Sequence, residues 1–257
     1  MRITQVRNAT LVINYARKRF LIDPMLGAKE TFPGFAGTPN SHLPNPLVDL
    51  PAPISEIVDV DAVIVTHTHL DHWDDTARDS LPKGMPLFVQ HEEDAAAIQA
   101  VGFTDVRILS TDTDFDGITL IKTPGQHGSD EAMEKIGDRL GAVCGVVFRH
   151  PDERTLYLAG DTVWNWYVEE SLRKYAPDVV VLNCGDAQII GLGSIIMGKQ
   201  DVFKVHEAIP GGTIVASHME AVNHGMLSRK ELRKFLEEKG MTPCVLVPED
   251  GETLRFG

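Results

Sequence analysis

Basic residues are the scarce charge in this 257-residue chain: 24 Lys and Arg stand against 37 Asp and Glu, a formal net charge of −13. A nucleic-acid backbone is held by a basic face, so long nucleic acid is not expected as a partner. An anionic small molecule, held locally by metal ions or a few Arg and Lys, stays compatible with that balance. Cysteine is scarcer still. Cys144, Cys184 and Cys244 are odd in number and widely spaced, without a CxxC pair. That argues against a disulfide scaffold and suits a reducing cytosol. Cys144 and Cys244 sit in β-like apolar runs, where a buried free thiol is the ordinary reading. No stretch approaches ~18 uninterrupted apolar residues. The opening Met1-Arg2-Ile3-Thr4-Gln5 has no apolar region of the signal-peptide kind, so a soluble, cytoplasmic protein with no membrane partner is expected. Fixed short repeats, low-complexity tracts and linker-like composition shifts are lacking too, which favours a single domain over residues 1–257.

What is there is a globular composition, 43% hydrophobic and 24% charged, enough for a packed core. Apolar runs at Ala9 to Ile13 and Arg19 to Ile22 predict a β-meander, ended by Asp23-Pro24. Residues 24 to 53 are rich in Pro and Gly, among them Pro33, Gly34, Gly37, Pro39, Pro44, Pro46, Pro51 and Pro53. A loop this long is either an active-site lid or a rigid surface excursion. Further strands are expected at Ala62 to Val65, Pro86 to Val89, Val106 to Leu109, Ile118 to Lys122, Val179 to Leu182, Thr213 to Ala216 and Cys244 to Val247. Ala142 to Arg149 and Thr155 to Ala159 read as a hairpin. Helices are expected at Glu92 to Val101, Trp166 to Tyr175, Asp201 to Ala208 and Ser228 to Lys239. For the last, Ser228 is the cap, Glu231 fits a capping box and Gly240 is the stop. A meander followed by alternating strands and helices fits an α/β fold of two sheets with helices outside.

Four potential metal ligands, His67, His69, Asp71 and His72, fall within six residues directly after the buried run Ala62 to Val65. Imidazole and carboxylate are the ligand types of hydrolytic Zn, Mn or Fe sites. In an extended segment residues two apart point the same way, so His67, His69 and Asp71 can converge, and a turn can bring His72 round. A catalytic Zn takes three protein ligands plus water, so four candidates here suggest two ions. A single histidine would read as a polar loop residue. Three of the chain's ten within six positions do not.

The pattern His67-x-His69-x-Asp71-His72 after an apolar strand resembles the signature of the metallo-β-lactamase superfamily. The chain also offers, in the order that the superfamily has them, His127 in Thr123-Pro124-Gly125-Gln126-His127-Gly128, Asp161 in Leu158-Ala159-Gly160-Asp161-Thr162, and His218 in Ile214-Val215-Ala216-Ser217-His218. The resemblance covers about residues 1 to 250 and implies a four-layer αββα sandwich. It implies that His67, His69 and His127 bind one divalent ion and that Asp71, His72 and His218 bind a second. Asp161 would bridge them, a carboxylate offsetting the repulsion of two cations that share a hydroxide. The ions would be Zn, with Mn or Fe as alternatives. Asp71 could also orient the hydroxide. Gly160-Asp161-Thr162 and the segment from Met197 to His218 resemble more loosely the group containing the L-ascorbate-6-phosphate lactonases. That group usually has Pro before the last His, where Ser217 stands here.

Taken singly, the later residues have plainer readings. Asp161 could be a turn residue, His127 a solvated loop histidine, and His218 has a rival in His224. His218 is preferred because it sits at a strand end, where the sheet fixes a ligand. His224 then becomes a catalytic or substrate-contacting candidate beside Asp71. Cys184, Asp186 and Trp164 are further substrate-contact candidates, with Trp166 as a second possible wall; a simple turn and core packing compete with them. Gly191, Gly193 and Gly198 around Ile195-Ile196-Met197 suggest a tight apolar loop. His42, His91, His150 and His206 read as surface or capping residues. The expected function is hydrolysis of a small-molecule ester, lactone or phosphoester by a metal-bridging hydroxide. The alternatives are a phosphodiesterase acting on a small or lipid phosphodiester, and a metal-binding protein without activity. His69 speaks against di-iron redox chemistry, since superfamily members of that type tend to carry Glu there.

Overall fold

In a computed structural model, which describes all 257 residues, the chain runs through sixteen strands and seven helices. They are β1 (Arg2–Arg7), β2 (Thr10–Tyr15), β3 (Lys18–Ile22), α1 (Ile54–Ile57), β4 (Ala62–Val65), α2 (Asp75–Ser80), β5 (Leu87–Val89), α3 (Glu92–Ala100), β6 (Val106–Ile108), β7 (Thr113–Phe115), β8 (Ile118–Pro124), α4 (Asp130–Leu140), β9 (Cys144–Arg149), β10 (Leu156–Leu158), α5 (Trp166–Tyr175), β11 (Val179–Asn183), β12 (Gln188–Ile189), β13 (Gly193–Ser194), α6 (Lys199–Ala208), β14 (Thr213–Ser217), α7 (Arg229–Lys239), β15 (Val245–Leu246) and β16 (Thr253–Arg255). Two seven-stranded sheets form, ordered β16-β1-β2-β3-β4-β5-β6 and β15-β14-β11-β10-β9-β8-β7, with β12 and β13 a separate ribbon.

Alternation along the strands decides the layering, because successive side chains point to opposite faces. Ile13, Phe20, Ile64 and Phe88 of the first sheet meet Leu120, Val146, Phe148 and Val181 of the second in one buried cluster between the sheets. The intervening residues Val12, Leu21, Val63 and Val65 pack outward with Ile57, Ala77 and Ile98 of α1, α2 and α3. Val180, Leu182 and Ile214 of the second sheet pack outward against Val168, Val202 and Leu232 of α5, α6 and α7. The result is the expected αββα sandwich. No helix is long and apolar enough to cross a membrane.

Polar demands explain where the structure departs from the expected elements. Strand β1 escapes an apolar reading because it carries Gln5 and Arg7, both buried. The Arg7 guanidinium donates to the carbonyls of Val48 at 3.0 Å, Met25 at 2.7 Å and Gly27 at 2.8 Å, so it pins both ends of the Pro/Gly-rich segment to the sheet. Helix α4 escapes because its sequence is mostly charged, with only Ala132 and Leu140 buried and Ile136 out of helical geometry. Ser228 does cap α7, accepting from the Glu231 amide at 3.1 Å. The Glu231 carboxylate instead takes Lys199 at 2.5 Å, so the reciprocal half of the expected capping box is replaced by an ion pair.

Strands β3, β4 and β5 are parallel, as are β10, β11 and β14, and β8 runs with them because both it and β10 are antiparallel to β9. The loops leaving these strands therefore gather at one end of the sandwich. Open α/β sheets place their sites at the carboxyl ends of parallel strands.

Candidate metal centre and cleft

Seven side chains converge at that end. His67, His69, Asp71 and His72 follow β4, His127 follows β8, Asp161 follows β10 and His218 follows β14. The donor atoms form three overlapping groups, His67 with His69 and His127, Asp71 with His72 and His218, and His67 with His72 and Asp161, the atoms of each lying within 4.8 Å of one another. All seven are buried except His69, which is half-buried. Asp161 Oδ2 lies in the middle. It is 3.1 Å from His72 Nε2, 3.6 Å from His218 Nε2, 3.7 Å from His127 Nε2 and 4.0 Å from His67 Nε2.

The backbone bends to make this possible. His218 takes a left-handed φ of 60°, an uncommon conformation for a side-chain-bearing residue that tends to mark a functional position. Gly160, at φ 71°, turns the chain into Asp161 where any Cβ would collide with the Cys144 carbonyl oxygen.

Partners outside the cluster fix which nitrogen of two of the rings faces inward. His127 Nδ1 donates to the Ile195 carbonyl at 2.9 Å, and His72 Nδ1 to Asp23 Oδ2 at 3.0 Å. Both arrangements free Nε2 for the centre, which is how partner groups orient metal-binding histidines. Asn183 Nδ2 donates to Asp161 Oδ1 at 2.7 Å, leaving Oδ2 free. Asn8 Nδ2 donates to the Asp71 carbonyl at 3.1 Å. Asp23, Asn183 and Asn8 were not singled out from sequence. Each is a single polar residue at a strand end or turn, and the available signal was only that Asp23 ends a strand.

Imidazole nitrogens crowd within hydrogen-bond distance of one another: His67 Nε2 and His69 Nδ1 are 3.0 Å apart, and His72 Nε2 and His218 Nε2 are 3.2 Å apart. Burial, reinforced by neighbouring His72 and His69, holds His67 well below its ordinary pKa, and burial lowers His127 to about 4. Neutral imidazoles of this kind are ready ligands. Burial opposes ionisation of His72 as well, but Asp161, Asp23 and Asp71 outweigh it and hold its pKa well above the ordinary value. Burial would likewise raise the carboxyls of Asp71 and Asp161, yet the histidines, His72 foremost, keep both well below the usual range. Nitrogen and carboxylate oxygen donors converging in a buried anionic centre fit divalent cations.

The centre opens into a cleft of about 190 Å³ lined by twelve residues. Phe35 and Thr38 come from the Pro/Gly-rich segment, which thus walls the site, Arg139 and Leu140 from the end of α4, and Ile189 and Ile195 from the 185-to-200 loop. His224 also lines it, its ring 5.0 Å from Phe35 at 81°. The other substrate-contact candidates lie elsewhere. Cys184 is wholly buried in the core under α5, α6 and α7, its thiol pushed up to about 12 by burial. Asp186 turns away to accept from Ser194 at 2.5 Å and Gln188 at 2.9 Å. Trp164 packs on that same core, and Trp166 is 60% exposed on the surface.

Burial lowers His224 to about 4, from an ordinary value of 6.5. Unfolding restores the ordinary value, so the unfolded chain takes up a proton that the folded chain refuses. This contribution to stability is complete above pH 6.5 and is lost as pH falls towards 4. His224→Gln, which cannot titrate, should flatten the stability-against-pH curve by on the order of 3 kcal/mol across that interval, read from urea unfolding midpoints. An unaltered acid slope would contradict a neutral, buried His224.

Residues 18–219 match the family described as "Beta-lactamase superfamily domain". The chain is 52% identical to the UPF0173 protein YddR of Bacillus subtilis, over all of both sequences. It is 27% identical to a UPF0173 metal-dependent hydrolase of Pyrococcus abyssi, over 93% of this chain and 92% of that one. A solved structure of an isothiocyanate hydrolase from Delia radicum gut bacteria is 51% identical and superposes with a TM-score of 0.97, covering 100% of this chain and 99% of that one. Two of these relatives are named as hydrolases and none as a sugar-phosphate lactonase, so the looser lactonase likeness gains nothing from them. With the family matched across most of its length and its His and Asp side chains gathered at one end of the sandwich, the chain belongs to the β-lactamase superfamily, as one of its metal-dependent hydrolases.

Proposed function

We propose that the chain hydrolyses small apolar isothiocyanates at a dinuclear centre. His67, His69 and His127 would hold one ion, Asp71, His72 and His218 the other, and Asp161 would bridge them. The observation that carries this reading is the cleft beside the cluster. Five of its twelve lining residues, Phe35, Leu70, Leu140, Ile189 and Ile195, are apolar, and Arg139 is the one Lys or Arg among them. Beyond the ions themselves, a phosphoester or phosphodiester draws on protein cations for its remaining charge, and this lining offers a single guanidinium that already donates to the Ala36 carbonyl at 2.5 Å. An uncharged electrophile with an apolar substituent fits better, and the isothiocyanate hydrolase that is 51% identical to this chain acts on such a compound by name.

Bound divalent ions, with Zn, Mn or Fe suited to this donor set, would supply Lewis acidity and a water nucleophile at neutral pH. The chain's own residues do the rest. Water adds its oxygen to the central carbon of R–N=C=S, and the electron pair leaving the C=N bond takes a proton at nitrogen, giving a thiocarbamic acid. That acid loses carbonyl sulfide as its remaining O–H proton moves to nitrogen and the C–N bond breaks, so R–NCS and H2O become R–NH2 and COS. Asp71, ionised and buried, accepts a hydrogen bond from the attacking water and orients it. His224 stays neutral and offers an N–H to the charge that develops on the substrate, the use to which a buried neutral imidazole is put elsewhere. The apolar walls exclude bulk water and hold the substituent.

A panel of benzyl isothiocyanate, a lactone, a carboxylic ester and a phosphodiester tests the reading on protein whose metal content has been measured. Release of amine and carbonyl sulfide from the isothiocyanate is expected, at about two ions per chain and lost on chelation. His224→Ala should lower kcat by about 10²–10³-fold, the scale of losing one transition-state donor. Turnover of the lactone or ester alone would move the assignment to acyl chemistry. A well-folded protein with one ion or none would remove the dinuclear reading.

A further inference from the structure

Asn223 is 2% exposed and is no member of the metal cluster, yet it gathers the middle of the Pro/Gly-rich segment. Its Oδ1 accepts from the Phe35 amide at 3.0 Å and from Asn45 Nδ2 at 2.8 Å. Its Nδ2 donates to Thr38 Oγ1 at 2.8 Å and to the Pro39 carbonyl at 2.7 Å. Its backbone amide donates to Asn45 Oδ1 at 2.8 Å, and its carbonyl accepts from Asn40 Nδ2 at 3.2 Å. A side-chain amide has two N–H donors and two carbonyl lone pairs, and here all four are used on one stretch of loop.

That stretch has no regular structure of its own between the bridge of Phe32 to Asn45 and its tip. Its other ties to the body are few, among them Ile190 N to the Gly37 carbonyl at 3.0 Å and Arg139 Nη2 to the Ala36 carbonyl at 2.5 Å. Phe35 and Thr38 are the residues that it gives to the cleft, and the Phe35 ring meets His224 edge-on. The residue that clamps Phe35 is thus chain neighbour to the histidine that Phe35 packs against.

We infer that Asn223 is a specificity-setting positioning residue: it holds Phe35 and Thr38 as a fixed wall that selects substrates with a flat, aromatic substituent over those with a short alkyl one. This rests on the isothiocyanate reading. An aromatic side chain placed in advance gains ring-on-ring contact beyond simple area burial, and a wall already ordered costs the substrate nothing to arrange. Leu70, Leu140, Ile189 and Ile195 give the remaining apolar surface. A short alkyl substituent reaches the metal centre without needing the wall, so loosening the clamp affects it little.

The test compares benzyl and allyl isothiocyanate on the metal-loaded wild type, on Asn223→Ala, and on Thr38→Val, a milder variant that keeps the side-chain shape and removes the Thr38 Oγ1 bonds, from Asn223 Nδ2 at 2.8 Å and to the Phe35 carbonyl at 2.6 Å. For Asn223→Ala, KM for the benzyl compound should rise about tenfold, equivalent to ~1.4 kcal/mol, while KM for the allyl compound and kcat for both stay within about twofold, a split that marks lost binding rather than lost chemistry. Thr38→Val should move the benzyl KM the same way by about threefold, a modest share of the net hydrogen bonding lost, and it stands in if Asn223→Ala fails to fold. Hydrogen exchange at the Phe35 amide should quicken in Asn223→Ala. Equal rises in both KM values, or a fall in kcat with KM unchanged, would overturn the specificity role. Should the wild type turn over neither compound, the substrate reading itself falls. The clamp then stands or falls on the exchange measurement, where a wild-type rate at Phe35 in Asn223→Ala overturns it.

Discussion

Asp161→Ala should lower kcat by about 10³-fold or more, as happens when one member of a mutually dependent catalytic unit is removed, and should release at least one ion per chain. One atom carries the argument. Asp161 Oδ2 is within 4.0 Å of the Nε2 atoms of His67, His72, His127 and His218, so it is the one anionic oxygen shared by both proposed ion positions. Without it two cations would face each other across a buried space with their repulsion unscreened. The truncation also strands Asn183 Nδ2, whose side-chain acceptor is Asp161 Oδ1 at 2.7 Å. Asp161→Asn separates charge from shape, since it keeps the side-chain outline and removes the anion. Both variants should lose activity and metal together, by steady-state assay and elemental analysis, with far-ultraviolet circular dichroism near that of the wild type. Wild-type turnover with two ions in Asp161→Ala would end the bridging role.

The ligand cluster was readable because its chemistry is concentrated: four ligand-type side chains in six residues after a β-branched run, then three more at later strand ends in a known order. Covered sheets were readable for a similar reason, as Ala62 to Val65 and Val179 to Leu182 are short apolar strands whose alternating faces need cover on both sides, while the four-layer order came from the superfamily resemblance. What stayed hidden depends on neighbours that a linear pattern does not reveal. Asp23 reads as the end of a strand. It becomes a partner of His72 only because β3 pairs in parallel with β4, with Ile22 opposite Ile64. Asn183 closes β11 and reaches across to Asp161 in the same way. The cleft is assembled from widely separated stretches, one of them the end of α4, whose charged sequence hides its helical character. Cys184 and Trp164 misled for the converse reason. They sit close in sequence to ligands or strand ends, but the side chain of each points into the layer beneath α5, α6 and α7.

Asp23→Ala should weaken metal binding by about 10- to 100-fold, the range for losing a partner that orients a ligand, and should destabilise the fold by about 3–5 kcal/mol, the cost of leaving a buried charged partner unpaired. Asp23 is 1% exposed and has three donors on its two oxygens: the Thr66 amide at 2.7 Å, Thr66 Oγ1 at 2.7 Å and His72 Nδ1 at 3.0 Å. It thereby ties the residue preceding His67 to the ring of His72, one histidine for each proposed ion. Truncation leaves three buried donors without an acceptor and frees the His72 ring to rotate or change tautomer. A second cost enters through the backbone, since Asp23 holds a φ of 44°, which Asp and Asn tolerate better than Ala. Asp23→Asn removes that strain from the comparison. It keeps the left-handed turn and an oxygen for Thr66 but has no charge to draw the His72 proton. If the carboxylate acts by orienting His72, Asp23→Asn should recover much of the stability in urea titrations and little of the metal affinity in competition with a chelator. If its role is only to support the turn, the Asn variant should regain both, and wild-type metal affinity in Asp23→Ala would sink the orienting role outright.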